Sequence, residues 1–356
     1  MYSTYLFEGT NIDVPHRYEN LEYQGFGAQG IVMKAFDTQT QQNVAIKKLT
    51  RPFAHPLSAK RTFREFVILN LINHQNVVKL LNLYTPQNDN INEFSDVYLV
   101  MELMDGNLST FSLQNYDQEH LSFLMYQMLC GVNHLHKSGI IHRDLKPSNI
   151  GFRANASIKL LDFGLACAEN SASLTGYVTT RHYRAPEIIL GAGYKANADV
   201  WSLGCIFAEL ITKTILFPGT NHVDQWTKII SIVGTPNSSF YETLTDTTKA
   251  YLNSLPKYSA KSWESLLPDS LFPSWEKDSE LTAANARDLI SKMLVIDPKQ
   301  RINVRDAINH PYVKLWYKAS EVDGLASPSY DITIDDIEHD VETWKRLIFN
   351  QIQTWQ

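Results

Sequence analysis

One stretch constrains the fold more than any other: Ile140-Ile-His-Arg-Asp-Leu-Lys-Pro-Ser-Asn-Ile150, followed by Leu161-Asp-Phe-Gly164. An apolar pair, Ile140 and Ile141, leads into a loop dense in charge that ends at Asn149. A second apolar run, Ile158, Leu160 and Leu161, then delivers Asp162. Buried strands on either side of a charged loop are a common way to hold reacting groups. Asp144, Lys146, Asn149 and Asp162 supply two carboxylates, an ammonium and an amide. That set suits holding Mg²⁺ and polyphosphate while accepting a hydroxyl proton. Asp144 takes the role of base, Lys146 neutralises the moving phosphoryl group, and Asn149 and Asp162 bind metal. An isolated His-Arg-Asp would read as a solvated loop with structural acids; the longer run argues against that.

The chain before this stretch supplies a place for a nucleotide. Two short β-like runs, Tyr5 to Phe7 and Tyr18 to Tyr23, flank a Gly-Thr-Asn turn signal. Gly25-Phe26-Gly27-Ala28-Gln29-Gly30-Ile31-Val32 follows, with glycines that let backbone amides approach phosphate. A glycine-rich hairpin alone would look the same, but the next segment, Ile31 to Phe36, reads as a strand and favours a flap over a dinucleotide-binding turn. Val44-Ala45-Ile46-Lys47 is an apolar strand with one inward lysine, which needs phosphate and a carboxylate. Helical spacing over Ala59 to Ile72 offers Glu65 as that carboxylate, and places Arg64 beside it facing elsewhere. Val77 to Tyr84 and Val97 to Glu102 read as strands joined by a polar loop. Adenine is expected on the backbone near Glu102 and Met104, with Met101 at the back of the pocket and Val32 and Ala45 among its lining. Asp105-Gly-Asn marks a turn and a lobe boundary.

The second half is helical. Leu121, Leu124, Met125, Met128, Leu129, Val132 and Leu135 recur every three or four residues, the spine of a larger lobe. His134 and His136 read as packing or surface residues. Ala166 to Ser173 is small and polar and reads as a mobile loop. It runs into Thr175-Gly-Tyr177, two acceptor hydroxyls bracketed by arginines. Arg181 and Arg184 can pair with one phosphate there, and Arg143 and Arg64 can reach the other. Asp199 opens an apolar helix, either as its cap or as a support for the catalytic loop. Glu187 and Arg301 are expected to form a buried ion pair. Residues 219–275 read as an insertion of undefined shape. From Ser320 the chain turns acidic, a pattern that suits a solvated surface, before an amphipathic helix from Val341 to Trp355.

Composition narrows the field. The net charge of −6 gives no global basic field for nucleic acid. Cys130, Cys167 and Cys205 lie far apart, which suggests a reducing compartment and no metal cage. No apolar run approaches the roughly 18 residues a membrane span needs. The N-terminus lacks the basic start and apolar core of a signal peptide.

The residues quoted carry the signature of protein kinases, and nearly the whole chain, from Tyr5 to Trp355, resembles the mitogen-activated protein kinases. Thr175-Gly-Tyr177 looks like that family's dual phosphorylation site, and Tyr330-Asp-Ile-Thr-Ile-Asp-Asp with Glu342-Thr-Trp-Lys looks like its docking region. Leu121-Ser-Phe-Leu-Met-Tyr-Gln-Met-Leu-Cys-Gly, Gly27-Ala-Gln-Gly-Ile-Val and the terminal Trp helix look most like the Jun N-terminal kinase branch. Gly176 is instead typical of the osmotic-stress branch. The resemblance implies an α+β, bilobal kinase fold: residues 1–104 as the β-rich N-lobe, 105–319 as the helical C-lobe, and 320–356 as an extension packing back on the N-lobe. It also implies ATP and Mg²⁺ as cofactors, phosphorylation of Ser/Thr before proline, and activation by an upstream dual-specificity kinase. Docking peptides, scaffolds and phosphatases would bind at Asp331, Asp335 and a groove near Leu121 and Phe123. A monomer in cytoplasm and nucleus, acting in stress signalling, completes the expectation.

Two departures stand out. Relatives usually carry arginine where this chain has Cys167, so one expected basic partner of phospho-Thr175 is missing; the thiol is either redox-sensitive or packed and inert. Relatives usually carry an aromatic residue at His182, beside the pocket for the residue after the phosphoacceptor, where substrate preference and its pH dependence could change. Two other functions remain open from the sequence: a catalytically weak kinase-fold scaffold, and a cyclin-dependent kinase. Intact Lys47, Glu65, Asp144, Asn149 and Asp162 count against the first, and Thr175-Gly-Tyr177 with the C-terminal extension counts against the second.

Overall fold

The computed structural model describes residues 1–27, 30–110, 117–169, 181–272, 280–324 and 327–355. The chain begins with a hairpin, β1 (Tyr2–Phe7) and β2 (Thr10–Pro15), turned at Glu8 and Gly9, both with positive φ. β2 is absent from the sequence reading because only Ile12 and Val14 alternate inward there. A five-stranded antiparallel sheet follows: β3 (Tyr18–Gly27), β4 (Gly30–Asp37), β5 (Gln42–Leu49), β6 (Leu80–Tyr84) and β7 (Tyr98–Glu102), in the order β3-β4-β5-β7-β6. Ile31, Met33 and Ala35 alternate with less buried residues and pack with Val44, Ile46, Tyr98 and Val100 into a small core. Cross-strand partners share a face. Val32 is opposite Lys47, and Ala45 is opposite Met101, so these four residues line the other face, toward the cleft.

Helix α1 (Pro56–Leu71) begins three residues before the expected Ala59, with proline in the first turn, where its missing N–H costs nothing. The strand expected over Val77 to Tyr84 is also shorter, since β6 begins at Leu80 and leaves residues 77–79 outside it. Val78 N–H donates to Leu160 O at 3.0 Å and Leu160 N–H donates to Asn76 O at 2.8 Å, so that segment joins the two lobes instead.

The C-lobe is built on α2 (Gln118–Lys137), capped by the Asp117 carboxylate, with the seven apolar residues of its expected spine buried. β8 (Gly106–Asn107), β10 (Ile150–Phe152) and β11 (Ile158–Leu160) form one small sheet, and β9 (Ile140–Ile141) pairs with β12 (Cys167–Ala168). The mobile loop expected from Ala166 is therefore corrected over its first residues. Ala166, Cys167 and Ala168 are buried, and Cys167 and Ala168 pair with Ile141 and Ile140. Residues 170–180 lie outside the described residues. Helices α3 (Pro186–Ile189), α4 (Asn197–Thr212) and α5 (His222–Val233) follow, so the expected insertion contains a regular helix, capped by Asn221. The C-terminal helix Val341–Thr354 packs on α1, with the Trp344 ring 5.3 Å from the Phe63 ring. The whole is a β-rich lobe and a helical lobe, an α+β bilobal fold.

Candidate active site

The cleft face of the sheet carries Lys47. Its ammonium lies 2.7 Å from Glu65 Oε1 on α1 and 3.6 Å from Asp162 Oδ1. Burial works to lower the Lys47 pKa, but the carboxylates of Glu65 and Asp162 more than offset it and the net direction is up, so the ammonium stays charged. Above it, β3 and β4 pair Gly25 with Val32, Phe26 with Ile31 and Gly27 with Gly30. A Cβ at Gly25 or Gly27 would meet nothing within 4 Å, leaving backbone open to the cleft. At Gly30 a Cβ would sit 2.1 Å from Lys48 O, so glycine is required for strand packing there. Ala28 and Gln29, at the tip, lie outside the described residues. At the hinge, Glu102 is tied to Arg153 (2.8 Å) and Lys159 (3.0 Å). Among the described residues no hydrogen bond reaches the main chain of Met104, which suits it to an adenine edge.

Beneath the cleft, the catalytic loop is held by Asp199, which accepts from His142 N–H at 2.9 Å and Arg143 N–H at 3.0 Å. His136 Nε2 is 3.0 Å from the same carboxylate, so this histidine is structural rather than superficial. Burial alone would raise the Asp199 pKa; these donors pull it below the ordinary carboxylate value. Of the two roles read for Asp199, the structure selects support of the loop, since no side chain caps α4. Asp144 Oδ2 accepts from Lys146 Nζ at 2.8 Å and from Asn149 Nδ2 at 3.0 Å. Burial raises the Asp144 pKa, with the Lys146 ammonium opposing it. A desolvated carboxylate is a stronger proton acceptor. With its amide nitrogen engaged by Asp144, Asn149 keeps its oxygen as a ligand atom, and Asp162 adds a carboxylate. These are hard oxygen donors and fit a hard divalent cation completed by phosphate oxygens and water. Among the described residues no cluster of three His, Cys, Asp or Glu could hold a metal by itself.

The activation region modifies several expectations. Thr175 and Tyr177 lie outside the described residues. Arg64, expected on a phosphate, is 2% exposed and lies 2.5 Å from Asp335. Asp335 is therefore not an exposed docking acid: it is 3% exposed and accepts from Ala168 N–H at 2.6 Å. Leu121 is likewise buried in the core rather than presented to a partner, because its helix face packs inward. Phe123 is half-buried against Trp316, ring centroids 4.9 Å apart, and Asp331 remains exposed, its carboxylate accepting from Thr333. Arg143 Nη1 donates to Cys167 Sγ at 3.1 Å, and its guanidinium covers the Tyr194 ring at 4.7 Å. Burial raises the Cys167 pKa against the pull of Arg143, which makes it a packed, unreactive thiol. Arg181 donates to Thr220 O at 2.7 Å, and Arg184 is buried. His182 Nδ1 is buried without a hydrogen-bond partner among the described residues.

Arg61 is the residue the sequence reading missed. Burial first, then the charges of Arg143 and Arg64, lower its pKa, so the three guanidinium groups share one neighbourhood. The signal was present, since Arg61 and Arg64 are three apart on one helix and face the same side. Arg61 brings a further cation to the region where Cys167 lacks one.

A lysine held by a helix glutamate, a glycine hairpin above it, and an Asp-Lys-Asn-Asp set below it define a protein kinase. A protein kinase domain matches residues 18–313. The chain is 53% identical over 349 residues, 98% of its length and 94% of the relative, to "Stress-activated protein kinase JNK" of Drosophila melanogaster. It is 52% identical over 337 residues, 94% of its length and 72% of the relative, to "Stress-activated protein kinase jnk-1" of Caenorhabditis elegans. The chain belongs to the protein kinase family, in the JNK branch of the mitogen-activated protein kinases. It is accordingly a serine/threonine protein kinase that uses ATP and a divalent metal on protein substrates.

Proposed function

We propose that this chain is a proline-directed kinase of stress signalling, switched on when an upstream dual-specificity kinase phosphorylates Thr175 and Tyr177. The observation that carries the catalytic part is the joint geometry of Lys47, Glu65 at 2.7 Å and Asp144 held by Lys146 at 2.8 Å. Lys47 orients the α- and β-phosphates of ATP beneath Gly25–Gly30. Asn149 and Asp162 hold Mg²⁺, which supplies charge neutralisation on the phosphates when bound. Asp144 orients the substrate hydroxyl and takes its proton, and Lys146 stabilises the charge on the transferring group. Positioning and charge stabilisation provide most of the rate. Two dianionic phosphates add about −1.5 to −2 charges each and order the loop around its arginines.

Recognition of partners is assigned to the exposed Asp331 and the Phe123–Trp316 surface, which suit basic and apolar docking peptides of substrates, scaffolds and phosphatases. The kinase acts as a monomer in cytoplasm and nucleus, without nucleic acid or membrane. Three cysteines free of disulfides agree with a reducing compartment, and no helix among the described residues is long and apolar enough to cross a membrane. The test is the rate of phosphate transfer to paired Ser-Pro and Ser-Ala peptides before and after modification of Thr175 and Tyr177. A large rise confined to Ser-Pro is expected; no transfer by the doubly phosphorylated protein would favour the scaffold reading.

A further inference from the structure

Helix α1 carries the glutamate that meets Lys47, so its position decides whether the site is assembled. The same helix carries Lys60 and Arg64, each 2% exposed, and buried cations need anions. One short stretch of the C-terminal extension meets both. Arg64 Nη2 lies 2.5 Å from Asp335 Oδ1. Lys60 Nζ donates to the Asp335 main-chain oxygen at 2.7 Å and to Glu338 Oε1 at 3.1 Å. The Asp335 carboxylate also accepts from Ala168 N–H at 2.6 Å and from Tyr330 Oη–H at 3.3 Å. Ala168 lies in the strand just after Asp162-Phe-Gly164. A single carboxylate thus ties α1, the start of the activation segment and the C-terminal extension together.

The cations around it are those a phosphate would use. Arg61 and Arg64 come from α1 and Arg143 from the catalytic loop, and the Asp335 charge acts on Arg143 in the direction that keeps it protonated. Arg64 Nε and Nη2 are buried without a well-directed hydrogen bond, so Asp335 meets the guanidinium as an ion contact rather than as a two-pronged fork. Arg64 keeps donor capacity for a stronger anion.

We propose that Asp335 is an internal anion that stands in for an activation-loop phosphate at Arg64, holding α1 so that Glu65 meets Lys47 before any phosphorylation. It is a positioning residue, acting through Arg64 and α1 at a distance from the reacting atoms. The consequence is a basal activity that depends on the C-terminal extension, and a phosphorylated activity that does not. This rests on the kinase reading above.

The experiment compares Asp335→Asn and Asp335→Glu, each in the phosphatase-treated full chain carrying Thr175→Ala and in the doubly phosphorylated chain with Thr175 intact. The readouts are kcat and KM for ATP on a Ser-Pro peptide, with the thermal midpoint of each protein. Asp335→Asn is expected to lower basal kcat about tenfold, the scale of one charge-assisted contact, while the phosphorylated form stays within about twofold. Asp335→Glu is expected to restore the basal rate. Equal falls in both forms would mark a merely structural contact, and no fall in the basal form would also overturn the proposal. A rise in either form would make Asp335 a competitor of phosphate instead. If Asp335→Asn does not fold, Arg64→Met/Asp335→Leu removes both charges together, a change buried pairs tolerate. Its basal kcat in the Thr175→Ala chain is expected to fall likewise, and a retained rate would overturn the proposal. Phosphorylated wild-type protein is the control: its failure to transfer phosphate would sink the kinase reading itself.

Discussion

Two buried pairs of opposite charges, one in each lobe, sit at nearly the same distance with different consequences. Arg301 meets Glu187 through both terminal nitrogens, at 2.8 Å each. Its other hydrogen bonds go to Val295 O at 2.9 Å, Asn197 O at 2.7 Å and Ile296 O at 3.2 Å, and the guanidinium covers the Trp201 ring at 5.2 Å. Every guanidinium nitrogen has an acceptor, and all lie in the C-lobe. Lys47 meets Glu65 at 2.7 Å but shares its charge with Asp162 at 3.6 Å. Those partners come from different elements, α1 and the segment after β11. Distance alone does not separate a structural pair from a working one. The origin of the acceptors does: those of Arg301 all lie in the C-lobe, whereas those of Lys47 come from α1 and from the segment carrying Asp162.

Charge-keeping substitutions should split the two. Lys47→Arg keeps the cation but misplaces it, so kcat should fall about a hundred- to a thousandfold while the thermal midpoint stays near wild type. Arg301→Lys keeps the cation but loses the fork and the carbonyl bonds, so stability should fall by about 3 kcal/mol with kcat of the folded fraction nearly unchanged. Denaturant melts and initial rates on both variants check this, and the reverse pattern would break the comparison.

Two buried carboxylates, Asp144 in the catalytic loop and Asp199 on α4 beneath it, give a smaller, second contrast. Asp199 is held below its ordinary pKa by its donors, whereas Asp144 is raised by burial against the pull of Lys146. Asp144 acts as a base only when ionised, so activity falls as pH drops through its pKa. Lys146→Ala removes the lowering charge, and the acidic limb of kcat/KM should move to higher pH. An unmoved limb would mean that Lys146 does not tune the base.

The smallest effect concerns the joint between α1, α2 and the extension. Burial, and then the charge on His134, whose ring is 4.6 Å away, lower the His74 pKa from 6.5 to about 4. The unfolded chain therefore binds this proton first as pH falls. The stability that neutral His74 contributes is complete above about pH 6.5 and is lost progressively down to about pH 4. At 1.36 kcal/mol per unit, the loss is at most about 3 kcal/mol. Urea midpoints against pH should slope less in His74→Gln over that window, and an equal slope would remove His74 from the account.

The site was more legible in the sequence than the regulation around it. Asp144, Lys146, Asn149 and Asp162 lie within one short span, and Lys47 and Glu65 sit on elements with clear periodicity, so local pattern was enough. Asp335 shows the limit. Within an acidic run it resembles a solvated residue, and only a contact spanning 271 positions to Arg64 buries it. Leu121 failed for a related reason: a helical spine position and a groove position look alike until the packing of α2 is known. Cys167 and Ala168 read as loop because small residues carry no periodic signal, yet they pair with β9.

The central claim is that Asp162, with Asn149, Asp144 and Lys47, makes this chain a phosphoryl transferase. The most direct measurement is γ-phosphate transfer from ATP with Mg²⁺ by doubly phosphorylated Asp162→Asn, beside its thermal midpoint. The account predicts that turnover falls by at least about a thousandfold while the protein melts near wild type. A rate close to wild type in the folded variant would contradict it.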